Sequence, residues 1–202
     1  MAKKWTNEKM AGALFSVTGN VLDRKTIFRH DRYAVAFLEE LQGLRKSRLC
    51  KLTAFVIMLD HIHLILNPKG GDIQEATGTL KSLSAKRIIG LSAPHTFSTG
   101  SENQVWQESF KSLPLWSGWM INQRINYIHA NPVKGGLCST AEEYRWSSFR
   151  SFYRDESDPL LQVDKNWWWE GDMELLKESV RQWETKRVEE LSVAIAAKKN
   201  KL

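Results

Sequence analysis

Leu52 to Leu66 reads LTAFVIMLDHIHLIL, an almost unbroken apolar run rich in β-branched and aromatic residues, stopped by Pro68 and the Gly70–Gly71 pair. Such a run reads as strand, or as two strands meeting near Asp60, buried on both faces. Inside it stand Asp60, His61 and His63. Strand side chains alternate faces, so His61 and His63 project the same way and Asp60 the other. Two neutral imidazoles side by side can grip one divalent metal. The competing reading is a pair of core histidines, each needing a polar partner in an apolar setting.

Working outward, Ala13–Leu22 reads as a first strand, followed by a basic cluster of Arg24, Lys25, Arg29 and Arg32. Asp31 is placed to cap a helix running to about Arg48, with Val35, Leu38 and Leu41 on its apolar face. After the central run, Asp72 and Glu75 have capping-box spacing, and Ile73, Ala76, Leu80 and Leu83 form a helical stripe. Lys81, Ser84, Lys86 and Arg87 lie off that stripe, either facing phosphates or forming an ordinary wet helix face. Leu91–Asn103 reads as a loop with His95 on its surface, and Val105–Phe110, VWQESF, as a short strand. Strand, helix, strand, strand, helix, strand is the order of an α+β, ferredoxin-like antiparallel sheet with helices on one face. The two histidines fall in its central strand pair.

Ser117 is placed to cap a third helix, Gly118–Ala130, ended by Pro132 and the Gly135–Gly136 turn. Tyr127 and Asn131 are four residues apart and share a face. Tyrosine can act as a nucleophile, and an amide oxygen can hold a hard metal. By themselves, the two are better explained as a packing tyrosine and a helix C-terminal asparagine.

The combination says more than its parts. DHIH in an apolar strand, then VWQESF, YIHANPVKGGL and YRWSSFRSFY, in that order, resembles the single-tyrosine HUH transposases. The branch it is most similar to is the one associated with repetitive extragenic palindromes. The resemblance covers residues 11–153. It implies cleavage of single-stranded DNA beside hairpins, with a tyrosine attacking the phosphate to leave a 5′-phosphotyrosine and a free 3′-OH. It implies Mg²⁺ or Mn²⁺ held by two histidines and a helix residue, which polarises the phosphate. Carried over by position, Tyr127 is the nucleophile, and His61, His63 and Asn131 are metal ligands. Lys81, Lys86, Arg87, Arg124 and Lys134 are candidate DNA contacts. Trp106, Trp119 and Trp146 are candidates for stacking unpaired bases. The chain departs from the family pattern at Asp60, where Asn is common, at Leu59, where Pro is common, and in the segment Lys111–Trp116. His129 neighbours Tyr127 on a different helix face and reads as structural or DNA-facing.

Bulk properties agree. Residues 1–153 carry 20 Lys or Arg against 12 Asp or Glu, whereas residues 154–202 carry 9 against 11. The basic part suits a polyanion, nucleic acid first. It is taken as the catalytic domain, with 154–202 a helical C-terminal extension packed on it through Trp167–Trp169. A long helix is expected over Met173–Lys199, with Trp183 and Leu191 inward and a homodimer or partner contact open to it. Cys50 and Cys138 give neither a disulfide framework nor a zinc pattern, which fits a reducing cytoplasm. No apolar run approaches membrane-spanning length. The alternative to a strand-transfer enzyme is a hairpin-binding protein that has lost cleavage. A metal-free RNA-binding module ranks last, because it calls for aromatic pairs where the histidines stand.

Overall fold

The computed structural model describes residues 9–92, 98–99 and 102–199. The strands are β1 Leu14–Asn20, β2 Cys50–Ile57, β3 His61–Pro68, β4 Ser98–Thr99, β5 Glu102–Asn103 and β6 Lys111–Leu115. The helices are α1 Asp31–Lys46, α2 Ile73–Gly90, α3 Gly118–Lys134, α4 Phe149–Tyr153 and α5 Asp172–Lys199. Four strands form one antiparallel sheet in the order β2-β3-β1-β6, and β4 and β5 make a separate small pair. That is the expected ferredoxin-like arrangement, with the histidine strand β3 at the centre.

The apolar run forms two strands that turn at residues 58–60 and are buried along almost their whole length. Alternation divides its side chains. Phe55, Ile57, Ile62, Leu64 and Leu66 join Phe15 and Val17 of β1 in a large core, which Phe37, Leu38 and Leu41 of α1 and Ile73, Leu80 and Ile88 of α2 complete. Ala54, Val56 and Ile65 face the other way and pack with Leu14, Leu115 and Ile121, Ile125 and Ile128 of α3. So α1 and α2 share one face, as expected, and α3 covers the opposite one, where His61 and His63 project. Across the sheet, Thr18 lies opposite His63 and Asn20 opposite His61.

Several boundaries move for physical reasons. VWQESF is not a regular strand. Trp106 makes a single bridge to Val21 and then plunges into the core against Phe28 and Phe37, its indole N–H donating to Ser84 at 3.1 Å. The sheet strand is the next segment, KSLPL, on the sheet's edge, where a proline is tolerated. Asp31 is the first helical residue of α1, and His30 occupies the cap position without a side-chain bond. Asp72 does cap α2, accepting the Glu75 N–H at 3.0 Å, and Ser117 caps α3. Helix α3 runs through Pro132 to Lys134, because a proline in the last turn removes only one donor. The chain then leaves at Gly136, whose φ of 67° suits glycine. His95 and the side chain of Leu191 lie outside the described residues.

The segment after α4 runs along the outer edge of β2. Asp164 accepts the Leu52 N–H at 2.8 Å and its own N–H donates back to Leu52 O at 2.7 Å. Asn67 donates to Trp167 O and to Asp172, and the Trp169 indole donates to Asn67 O. The Asp164 bonds occupy part of an edge that would otherwise offer free backbone groups to another chain. Trp183 of α5 packs on Trp116 with ring centroids 5.1 Å apart. Among the described residues no helix is long and apolar enough to cross a membrane.

Candidate active site

His61 opens β3 and His63 follows two residues on, so the pleat sets both rings on the α3 side, with centroids 4.9 Å apart. His63 is buried, and Thr18 Oγ1 from the neighbouring strand lies 2.8 Å from its Nδ1. Burial first, then the charges of His61, Arg124 and Arg24, push His63 down to about 3, so its ring is neutral at physiological pH.

Asp60 does not turn away from the histidines. It sits in the turn between β2 and β3, where strand alternation no longer applies. Its Oδ1 accepts from His61 Nδ1 at 2.6 Å, and its Oδ2 pairs with Arg24 Nε at 2.8 Å. Arg24 also donates to Asn20 Oδ1 at 2.6 Å, and Asn20 to Gln107 Oε1 at 3.1 Å. Asp23 and Arg24 both take left-handed backbone conformations, with φ of 54° and 55°, which side-chain-bearing residues rarely adopt. Backbone bonds from Val21 N–H to Asp60 O and from Phe28 N–H to Leu59 O hold this segment against the turn.

Tyr127 comes from α3. Its ring centroid is 5.6 Å from that of His63, yet 39% of the residue remains exposed. Arg124, one turn before, and Lys134, two turns after, place their cationic groups 5.6 and 5.4 Å from the Tyr127 ring centre. Asn131 lies one turn beyond Tyr127 and donates its amide nitrogen to Tyr127 O at 2.7 Å. That bond uses the nitrogen, not the oxygen a metal would take.

The donor chemistry fits a divalent cation. Each imidazole has Nδ1 engaged by an oxygen, the Asp60 carboxylate or the Thr18 hydroxyl, and a ring protonated at Nδ1 presents Nε2 as a lone-pair donor. Among the described residues no group of three or more His, Cys, Asp or Glu could hold a metal. A third protein ligand must therefore be of another kind, which is the role open to the Asn131 amide oxygen.

The structure thus brings together His61, His63, Tyr127, Arg124 and Lys134, with Asn131 beside them. It does not bring Lys81, Lys86 and Arg87 to this place. They stand on α2, which covers the opposite sheet face. Lys81 donates to Gln107 O and Glu108 O, and Arg87 pairs with Glu39 and Glu40 of α1 at 2.6 and 2.5 Å. His129 is buried among Phe149, Phe152 and Tyr153, with Nε2 2.9 Å from Ser148 Oγ, so of its two readings the structural one holds. Of the three stacking candidates, Trp106 is core, Trp146 is half-buried under Arg145, and Trp119 is 71% exposed. Asp60, Arg24 and Thr18 are the members that sequence reasoning missed. Thr18 fell inside the expected first strand, but only the register places it opposite His63.

Fold and cluster together define a class: ferredoxin-like proteins with a histidine pair on a central strand beneath a helix-borne tyrosine. The sequence model of the family described as "Transposase IS200 like" matches residues 18–131, beginning at Thr18 and ending at Asn131. The chain belongs to the IS200-like transposase family. It is 22% identical over 162 residues to the REP-associated tyrosine transposase of Escherichia coli (strain K12), across 80% of this chain and 87% of that one. Its fold is similar to that of a REP-associated tyrosine transposase solved bound to a REP hairpin. There the TM-score is 0.61 and the identity 18%, over 81% of this chain and 93% of the other.

Proposed function

We propose that this chain is a REP-associated type of tyrosine transposase, which binds DNA hairpins and cuts and rejoins single-stranded DNA beside them through Tyr127. One observation carries the reading: the Tyr127 ring lies against His63 while its side chain stays open to solvent. The named relative, and the hairpin seen in the similar structure, support a DNA hairpin as partner.

In this reading the Tyr127 hydroxyl gives up its proton and its oxygen bonds to the scissile phosphorus. The phosphorus–O3′ bond breaks, and the leaving 3′ oxygen takes a proton to become a free 3′-OH. Rejoining reverses these bonds, so the phosphodiester energy is retained in the phosphotyrosine. Arg124 and Lys134 flank the ring and offer positive charge to the incoming phosphate. Asp60, clamped by Arg24, holds His61 in one tautomer, and Thr18 orients His63. His61, His63 and Asn131 would hold Mg²⁺ or Mn²⁺, which when bound supplies Lewis-acid withdrawal of charge from the phosphate.

The test is incubation of the full chain with Mn²⁺ and 3′-labelled hairpin DNA bearing single-stranded flanks. A labelled protein–DNA adduct that survives denaturation is expected. Tyr127→Phe should bind the hairpin and give no adduct, and a Phe variant that still cuts removes Tyr127 as nucleophile. Wild-type protein that binds but never forms the adduct would leave hairpin recognition without cleavage as the function.

A further inference from the structure

Helix α3 has a second side, which the tyrosine and the metal ligands do not use. Its buried stripe is Ile121, Ile125, Ile128, His129 and Pro132. The exposed arc opposite carries Trp119, Asn122, Gln123, Asn126 and Lys134, with Tyr127 at its margin toward the histidines. Two features of this arc are unusual. The helix, GWMINQRINYIHANPVK, holds no acidic residue in seventeen positions. Its first turn bears Trp119 at 71% exposure, the most exposed of the large apolar residues in the described structure. An exposed indole at the head of a helix presents a flat apolar face that a stacking partner can cover. Beside Tyr127 the surface is hollowed into a shallow groove lined by Gln123, Arg124, Asn126, Tyr127, Ala130 and Lys134. Tyr153, 45% exposed, borders the same side through its hydroxyl, which donates to Asn126 at 3.2 Å.

We infer that the outer face of α3 is a track for the single-stranded DNA adjoining the cleaved phosphate, with Trp119 stacking on one of its bases. The inference rests on the proposed function and adds where the unpaired strand runs. Each group matches single-stranded nucleic acid. A solvent-facing indole offers a stacking platform for any base, amide side chains offer donors and acceptors to base edges, and cations meet phosphates. An acidic protein partner would satisfy the cations but would leave the indole and the amide row without use. Spacing agrees. Trp119 and Tyr127 are eight residues apart, about 12 Å along the axis, a length that about three to four stacked nucleotides, at roughly 3.4 Å each, or about two fully extended ones span. A base on Trp119 would therefore fix the register in which the next phosphates reach Tyr127. Trp119 is a positioning residue in this arrangement.

The experiment uses full-length Tyr127→Phe protein, which leaves the DNA intact, and two probes, a blunt hairpin and the same hairpin with a four-nucleotide single-stranded flank. The flanked probe should bind more tightly. Adding Trp119→Ala should erase that increment, a loss of about tenfold or more, and leave blunt-hairpin affinity unchanged. Trp119→Phe should keep most of the increment. The fluorescence of 2-aminopurine placed in the flank should be quenched when Trp119 is present and not in the Trp119→Ala protein. Because Trp119 is exposed, thermal unfolding of the Trp119→Ala variant should match its parent and exclude misfolding. Equal affinity of the parent and Trp119→Ala proteins for the flanked probe would overturn the track, and so would an equal loss on both probes. Failure of the proposed chemistry reads differently: the flank increment would persist while wild-type protein forms no adduct.

Discussion

The two faces of the sheet are built from the same strands by alternation, yet they end in opposite chemistry. On the α1–α2 face, Phe15, Phe37, Phe55 and their neighbours fill a closed core, and two of the cations above it have partners within the chain. Lys81 is tied to two backbone carbonyls and Arg87 to two glutamates. On the α3 face the apolar cluster is smaller, and it gives way to a polar row of Thr18, His61 and His63 beneath a half-open tyrosine. The cations there, Arg124 and Lys134, lean on an aromatic ring rather than on carboxylates. Availability, not the number of positive charges, distinguishes Arg124 and Lys134 from Lys81 and Arg87.

The largest effect expected from breaking this contrast is at Asp60. Asp60→Ala removes the acceptor that holds His61 Nδ1–H and frees Arg24. Loss of such an outer oxygen typically weakens metal binding by roughly 10–100-fold. Mn²⁺ titration of the Tyr127→Phe protein bound to flanked hairpin should show a drop of that size. Asp60→Asn keeps an oxygen acceptor and should recover part of it. Nitrogen NMR of the His61 ring should show the Nδ1–H form in wild type and a mixture in the Asp60→Ala variant. Wild-type metal affinity and an unchanged tautomer in Asp60→Ala would reduce the carboxylate to a turn residue.

A smaller effect separates the two cation sets directly. Arg124→Glu with Lys134→Glu should weaken flanked-hairpin binding about tenfold at moderate salt and lower the salt slope by about one per lost phosphate contact. Lys81→Glu with Arg87→Glu should instead lower the unfolding temperature, while affinity changes less than about twofold. The second substitution sets a new carboxylate against Glu39 and Glu40, and the first strips two carbonyls of their donor. Binding measured at three salt concentrations, beside thermal melts, distinguishes these outcomes. A loss of affinity confined to the α2 pair would put the DNA on the other face.

How much of this was readable before the structure depends on how local each decision is. The strand pair, the shared face of His61 and His63, the caps at Asp72 and Ser117, and the shared face of Tyr127 and Asn131 follow from periodicity within a few residues. Alternation misplaces Asp60, because it has no force in a turn. VWQESF has the stronger strand composition, but Trp106 finds partners in Phe28 and Phe37, far earlier in the chain, and KSLPL takes the sheet edge. The partners that engage Lys81 and Arg87 lie 26 to 48 residues away. Periodicity cannot see such partners.

The last prediction turns on two buried histidines that burial treats alike and geometry does not. His63 meets Tyr127 and His61; His129 meets Phe149, Phe152, Tyr153 and Ser148. Burial lowers His129 to about 4. An unfolded histidine titrates near 6.5, so between about pH 6.5 and 4 the unfolded chain binds a proton that the folded chain refuses. The sign follows: this contribution is fully present above pH 6.5 and is lost as pH falls toward 4, by about 1.4 kcal/mol per pH unit while the unfolded histidine is charged and the folded one is not. His129→Phe fills the same aromatic cage without a titrating group. Ser148 Oγ keeps partners in that variant, since it accepts the Phe55 N–H at 2.9 Å and lies 3.2 Å from Phe55 O. Urea unfolding at pH values stepped from about 7 down to about 4 should therefore give a shallower decline for His129→Phe, by close to one proton over the window. Adduct formation at neutral pH should match wild type within about twofold. An unchanged slope would mean that His129 takes up its proton in the folded state, and a lost adduct would move it from the packing side of α3 to the reacting side.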